Sequence, residues 1–348
     1  EEATMRALRL HRVDGPPDER LRIDDVGPPA PGDDLVVVDV HACGLCGEDL
    51  HLLDGRPDVA LPRTLGHEAS GVVAQLGSRV DDWQPGDRVA IVPRRSCGIC
   101  GHCRSGRPNL CATRQRLGFD VDGGLAEQVA VAPEMLVPVP VEMDLAQAAV
   151  TTHAAAVAWH ALKRAGIGED VAIAVHGVGG VGLHAVQLAV LAGARVVAID
   201  VDRNNLQRAR ALGADEVVDA REGEVARRVR DVTSGGVDRA LEMAGTAQAV
   251  GDAIASLHRG GRLVLVGTVA TPTSGLGGAH VIDDELEIVG SSGSTPQDVG
   301  ELFDLVADGR LDLSGSVTAR IGLDDVGTAL QDLRTRGSSP TRIVVTPR

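Results

Sequence analysis

Short apolar runs, rich in Val and ending at Gly or Pro, fill the first 150 residues. Residues 34–40 (DLVVVDV), 71–76 (GVVAQL), 87–92 (DRVAIV) and 136–140 are examples, and turn signals such as Gln84-Pro85-Gly86-Asp87 separate them. This spacing predicts an all-β unit of barrel type. Near Leu145 the texture changes. The Ala-rich segment 146–162 predicts a helix. Beyond it come strand 171–175, helix 181–192, strand 195–199, helix 204–212 and strands 217–219, 237–243, 262–266 and 286–289. Such a succession implies a parallel sheet covered on both faces, and six strands suit a doubly wound dinucleotide fold. The tail from Gln297 predicts one helix, 299–307, and a last strand, 342–345.

Composition changes the picture at a few points. The chain of 348 residues is long enough for two cores, and 43% hydrophobic with 24% charged residues is ordinary for a soluble globular protein. It holds two Phe, two Trp and no Tyr, so the cores rest on Val, Leu, Ile and Ala, and no tyrosine hydroxyl is available for catalysis. A net charge of −15 makes the chain a poor partner for nucleic acid or an anionic membrane. The apolar stretch 171–201 contains several glycines, His176 and His184, which argues against a membrane span. The opening Glu-Glu-Ala-Thr-Met has no apolar stretch, so no secretory signal is expected. Six cysteines then point to a reducing, cytoplasmic setting and to metal ligation rather than disulfides.

Gly177-Val178-Gly179-Gly180-Val181-Gly182 fits G-x-G-x-x-G between a predicted strand and a predicted helix. Gly177 permits the tight turn, Gly179 lets the backbone approach a pyrophosphate, and Gly182 lets the helix pack on the sheet. With Gly180 and Val181 these residues place free N–H groups at a helix N-terminus, where phosphates bind. Asp200, ending the next strand, stands where a carboxylate accepts the adenosine ribose hydroxyls and repels a 2′-phosphate. A purely structural role for Asp200 is to cap the helix starting near Asn204. NAD is expected, with NADP as the alternative because Arg203 is of the type that accommodates a 2′-phosphate. Val266, ending strand 262–266, is a further candidate for cofactor contact.

Cys97, Cys100, Cys103 and Cys111 form C-x2-C-x2-C-x7-C, a spacing that closes a tetrahedron around Zn²⁺ and leaves no vacant position. Such a site is structural; an iron–sulfur cluster is the rival reading. A second, dispersed set comprises Cys46, Asp49, His51, His67, Glu68 and His153. Its residue types suit an open zinc site with room for substrate.

Gly44-Leu45-Cys46-Gly47-Glu48-Asp49-Leu50-His51 and Gly66-His67-Glu68 resemble the zinc signature of medium-chain alcohol dehydrogenases. The four-cysteine lobe, Gln84–Val89 and Gly177–Gly182 follow in that family's order and spacing, so the resemblance covers essentially the whole chain. It implies an α/β protein with a GroES-like β-barrel catalytic domain, 1–153 and 294–348, bearing a structural zinc lobe at about 94–113. A Rossmann NAD-binding domain, 154–293, interrupts it. The implied reaction is hydride transfer between an alcohol, or its aldehyde or ketone, and NAD(H), with zinc activating the substrate oxygen. Reduction of a C=C or C=N bond on the same fold is the alternative, and a non-enzymatic NAD-binding protein a further one. The resemblance also implies a homodimer or homotetramer, because the last Rossmann strand, near 286–290, is often a subunit edge.

Residue by residue, the resemblance makes Cys46 and His67 ligands of a catalytic zinc and Glu68 the acid beside the metal. It makes Asp49 the carboxylate that orients the ligating histidine and His51 the outer member of a proton relay. Cys43 matches no ligand position and reads as a buried thiol. Two departures stand out. Anchoring on Trp159-His160-Ala161-Leu162 puts His153 where the family usually has Cys, Asp or Glu. Zinc with one thiolate and two imidazoles carries about +1, against zero for two thiolates and one imidazole. The other possibility is that His153 does not ligate. Glu48 stands where the family has Ser or Thr; it accepts the proton directly, reaches the zinc, or binds a polar group of the substrate.

Overall fold

The computed structural model describes residues 3–268, 278–336 and 342–348. The chain divides into two compact units, Glu1–Ala156 with Ser294–Arg348, and Val157–Gly293.

In the first unit the strand Val36–Leu45 is the spine. It pairs antiparallel with Glu68–Leu76, with Gln128–Val131 near its start and with Ile343–Thr346 at its end. Arg88–Ile91 and Leu136–Pro138 extend one side of this sheet and Ala319–Gly322 the other. A bulge between Val40 and Ala42 decides which residues face inward. Before it the even positions Val36, Val38 and Val40 enter the main core; after it the odd positions Cys43 and Leu45 do. An inserted residue reverses the strand's parity, so the strand still ends against the core, immediately before Cys46. A hairpin of Met5–Leu10 and Leu21–Val26, with Arg63–Thr64, forms a separate three-stranded sheet that the sequence pattern did not single out.

The second unit is a six-stranded sheet in which every pairing is parallel. Its strand order is Glu216–Asp219, Arg195–Asp200, Ala172–His176, Val237–Glu242, Leu257–Leu265 and Glu287–Gly290. The first strand in sequence lies between the second and the fourth, the doubly wound order expected for dinucleotide folds. Its buried positions are almost all Val, Leu, Ile and Ala, as a sheet covered on both faces requires. Helices Val225–Val232 and Ala247–Ser256 complete the crossovers. No helix among the described residues is long and apolar enough to cross a membrane.

The segment expected to be one helix over 146–162 differs. Leu145–Val150 is α-helical, Thr151–Ala155 is a π turn with all five residues buried, and α-helix resumes over Ala156–Ala165. A π turn absorbs an extra residue without ending the helix, and such turns concentrate at functional sites. The hydroxyls of Thr151 and Thr152 donate to the carbonyls of Gln147 and Ala149, at 2.8 and 2.7 Å. The α-helical register therefore shifts at the turn that carries His153.

Candidate functional site

Cys46 follows the spine strand and caps the helix Gly47–Leu53. Its Sγ accepts the Glu48 amide at 3.3 Å, while Asp49 Oδ2 accepts the Cys46 amide at 2.8 Å. This reciprocal cap fixes the start of the helix and buries Asp49. Glu68 opens the neighbouring strand, directly after His67, and lies opposite Gly44. A side chain at Gly44 would displace the Glu68 carboxylate, so the close approach favours glycine there. His153 arrives from the π turn, its ring centroid 4.9 Å from that of His67.

One ligand atom from each of Cys46, His67, Glu68 and His153 lies within 4.8 Å of the others, and all four residues are buried. The Cys46 sulfur is 3.2 Å from His67 Nε2, and Asp49 Oδ1 is 3.5 Å from His67 Nδ1, behind the ring. Glu68 Oε1 is buried with no hydrogen-bond partner, while Glu68 Oε2 accepts from Arg342 Nε at 3.2 Å. A thiol, two imidazoles and an orphaned carboxylate oxygen, all converging, form a donor set that fits zinc. Burial pushes the Cys46 thiol up to about 11, against the opposing influence of His67; a bound cation would reverse this. Burial also lowers the His153 pKa, outweighing Glu48, so this ring is neutral, the form that ligates.

Glu48 projects from the helix start with its side chain half exposed. Its Oε2 is 3.9 Å from His67 Nε2 and its Oε1 is 4.0 Å from His153 Nε2. Burial raises its pKa, but His153, His67, Arg94 and His51 outweigh this and hold the carboxyl below its usual value. His51 is exposed in the last turn of the same helix. Cys43 is buried in the core and belongs to neither cluster.

The four lobe cysteines also converge within 4.8 Å. Cys100 and Cys103 sulfurs are 3.5 Å apart, and those of Cys97 and Cys103 4.0 Å. Sulfurs about 2.3 Å from one tetrahedral metal lie about 3.8 Å apart, so the set fits zinc. The Cys97 amide, 3.3 Å from the Cys111 sulfur, helps pull that thiol down to about 6.

In the second unit Gly177 leaves the strand Ala172–His176 with φ of +90°, a conformation that favours glycine. A side chain at Gly182 would collide with the Gly177 carbonyl, so the helix Gly182–Leu191 starts directly on the turn. Gly179 and Val181 accept the first helical amides, from Leu183 and Ala185. Asp200 Oδ2 accepts the Val178 amide and Oδ1 the Asp202 amide, each at 2.8 Å. The helix cap is Asp202, whose side chain accepts the Asn204 amide; Asp200 is not that cap. Arg203 Nε lies 3.2 Å from Asp219 Oδ2, and Arg221 holds the same carboxylate. Val266 donates its amide to the Glu242 carbonyl at the sheet's end.

Two residues escaped the sequence reading. Arg342 pairs with Glu68 across 274 positions and had registered only as the start of a strand that in fact begins at Ile343. Phe119, one of the chain's two Phe, places its ring 5.4 Å from His67, beneath the Arg116 guanidinium. The scarcity of aromatics was the one signal pointing to it.

A GroES-like β unit joined to a Rossmann-type parallel sheet, with a metal-ligand cluster in the β unit, defines a two-part dehydrogenase architecture. Residues 32–141 match the alcohol dehydrogenase GroES-like domain and residues 180–308 the zinc-binding dehydrogenase family. The chain is 32% identical to a sorbitol dehydrogenase of Halalkalibacterium halodurans over 92% of its own length and 93% of the relative's. The solved structure of AibC superposes with a TM-score of 0.92 at 34% identity, covering 100% of this chain and 97% of that one. A zinc-binding dehydrogenase from Sinorhizobium meliloti 1021, solved with NADP, gives 0.90 at 32% identity over 99% and 100%. The chain belongs to the zinc-type medium-chain dehydrogenase/reductase family and is an oxidoreductase of the dehydrogenase class.

Proposed function

We propose that this protein is a zinc-dependent alcohol dehydrogenase transferring hydride between an alcohol, or its aldehyde or ketone, and NAD(H). The observation that carries the reading is the buried convergence of Cys46, His67, Glu68 and His153, with Glu68 Oε1 lacking any partner. A mere dinucleotide binder has no use for such a cluster.

Cys46, His67 and His153 would hold the catalytic zinc, and Cys97, Cys100, Cys103 and Cys111 a structural one. Bound zinc supplies Lewis-acid polarisation of the substrate oxygen, and bound NAD supplies the hydride acceptor. Asp49 orients the His67 ring through Nδ1. Glu48 accepts the substrate proton and His51 passes it outward. The Gly177 turn, with Gly179, Gly180, Val181 and Gly182, receives the pyrophosphate at the helix N-terminus. Asp200, with both oxygens already fixed by amides, accepts the ribose hydroxyls and favours NAD over NADP. Arg203 is drawn to Asp219, which weakens its claim on a 2′-phosphate.

The test is turnover of alcohols with NAD and of ketones with NADH, before and after chelation. Loss of turnover without unfolding is expected. Full activity in metal-free protein overturns the proposal. Activity confined to enones or iminium ions replaces it with double-bond reduction.

A further inference from the structure

Positive charge is concentrated at one place in a chain whose net charge is −15: six arginines and no acidic residue fall between positions 94 and 119. Two of these arginines stand beside the metal-ligand cluster. Arg94 and Arg116 are directly opposed in the antiparallel pair of short strands Arg94–Arg95 and Gln115–Arg116, so both side chains leave the same face. The Arg116 guanidinium lies 4.7 Å over the Phe119 ring, and that ring is 5.4 Å from His67. Arg94 is half-buried, and its charge acts on Glu48.

Like charges directly opposed in a ladder are destabilising, and burial of one of them adds to the cost. Asp120 holds Arg116 at 3.0 Å. Glu48 offsets Arg94 only in part: burial, together with Arg114 and Arg116, keeps the Arg94 pKa below its usual value. On this side of the cluster the guanidiniums of Arg94, Arg114 and Arg116 outnumber the carboxylates of Glu48 and Asp120. Carboxylate and phosphate are the groups that a guanidinium fork binds bidentately.

We propose that Arg94, with Arg116 beside it, binds an anionic group of the substrate, so that the alcohol oxidised here carries a carboxylate or a phosphate. Glu48 takes the proton of the hydroxyl, and Arg94 fixes the charged end of the same molecule. An uncharged alcohol of similar size leaves the opposed guanidiniums uncompensated and binds less tightly. This rests on the dehydrogenase reading above, and binding measured without turnover separates the two.

Binding of glycerol phosphate, glycerate and glycerol is measured by titration calorimetry on the full-length protein and on Arg94→Gln, Arg94→Lys and Arg107→Gln, with zinc per chain as the check on folding. Wild type is expected to bind at least one of the two anions about tenfold or more tighter than glycerol, the scale of a charge-assisted hydrogen bond. The tighter anion tells phosphate from carboxylate. Arg94→Gln is expected to abolish the preference. Arg94→Lys, which keeps the charge and loses the planar fork, loses part of it with zinc per chain unchanged. Arg107, exposed on the same lobe, controls for general attraction, and Arg107→Gln keeps the wild-type preference. Equal affinity for all three compounds in wild type, a preference that survives Arg94→Gln, or one lost equally in Arg107→Gln overturns the assignment and leaves a zinc dehydrogenase intact. Anion binding that depends on Arg94, without turnover of any alcohol, supports the arginine site and overturns the dehydrogenase reading.

Discussion

Arg342 Nε stands 3.2 Å from Glu68 Oε2, and both side chains are buried beside the metal-ligand cluster. The pair joins the residue just before the last strand of the first unit to the first residue of the strand Glu68–Leu76, so the tail completes the site's electrostatics. Burial works against the Arg342 charge, but Glu68 and Cys46 outweigh it and raise its pKa. Breaking a buried pair from one side leaves the other charge uncompensated, at a cost of about 3–5 kcal/mol. Arg342→Leu is expected to lower stability by about that much in urea unfolding, and Arg342→Leu with Glu68→Gln by clearly less. Equal losses in the two proteins would mean that Arg342 acts through packing rather than charge.

His153 enters the cluster on the π turn. Elemental analysis is expected to give two zincs per chain in wild type and one in His153→Ala, with the four-cysteine site still filled. Two zincs in both proteins would remove His153 from the ligand set.

On the proposed reading Asp200 is the carboxylate that excludes a 2′-phosphate, and Arg203 is exposed three residues further on. Asp200→Ser removes the repulsion and keeps a hydroxyl for the Val178 amide. The ratio of kcat/KM for NADP to that for NAD is expected to rise about tenfold or more, given the size of charge–charge terms at partly solvated sites. No change in the ratio would show that specificity is set elsewhere.

Gly182 cannot carry a side chain without displacing the Gly177 carbonyl. Gly182→Ala is expected to weaken NADH binding about tenfold or more in a fluorescence titration, while zinc per chain stays at the wild-type value. Undiminished binding would separate the turn from the dinucleotide.

His258 Nε2 is 2.6 Å from Asp238 Oδ1, and its Nδ1 is 2.7 Å from the Arg259 carbonyl. Burial opposes the charge on this ring, but the bonds to Asp238 and Arg259 outweigh it and raise the pKa above 6.5. A raised histidine pKa stabilises the fold fully below the unfolded value, near pH 6.5, and the benefit fades as pH climbs through the folded value. The thermal midpoint is expected to fall as pH rises above about 6.5 in wild type, and to fall less in His258→Gln. Identical pH dependence in both would exclude the pair as its source.

What could be read without coordinates was what the chain encodes locally. The run from Gly177 to Gly182 dictates its own turn, because a φ of +90° and a side-chain-free approach are needed within six consecutive residues. The four cysteines sit close enough in sequence to converge through one short loop. Val-rich strands identify themselves by which faces they must bury. The hairpin over Met5–Leu10 and Leu21–Val26 did not, since Arg6, Arg9, Arg22 and Asp24 interrupt its apolar positions.

The sequence by itself determined the two-unit class, the glycine turn that opens the helix Gly182–Leu191 and the residue types of both candidate metal clusters. Tertiary structure alone decided that a π turn delivers His153, that Arg342 neutralises Glu68 and that Glu48 faces both imidazoles. The physical reason is range. A turn or a cysteine spacing is settled by backbone geometry within a few residues. The pairing of two buried charges 274 positions apart depends on strand register, a bulge at Val40 and Ala42, and the packing of the tail. None of these leaves a local trace in the order of the amino acids.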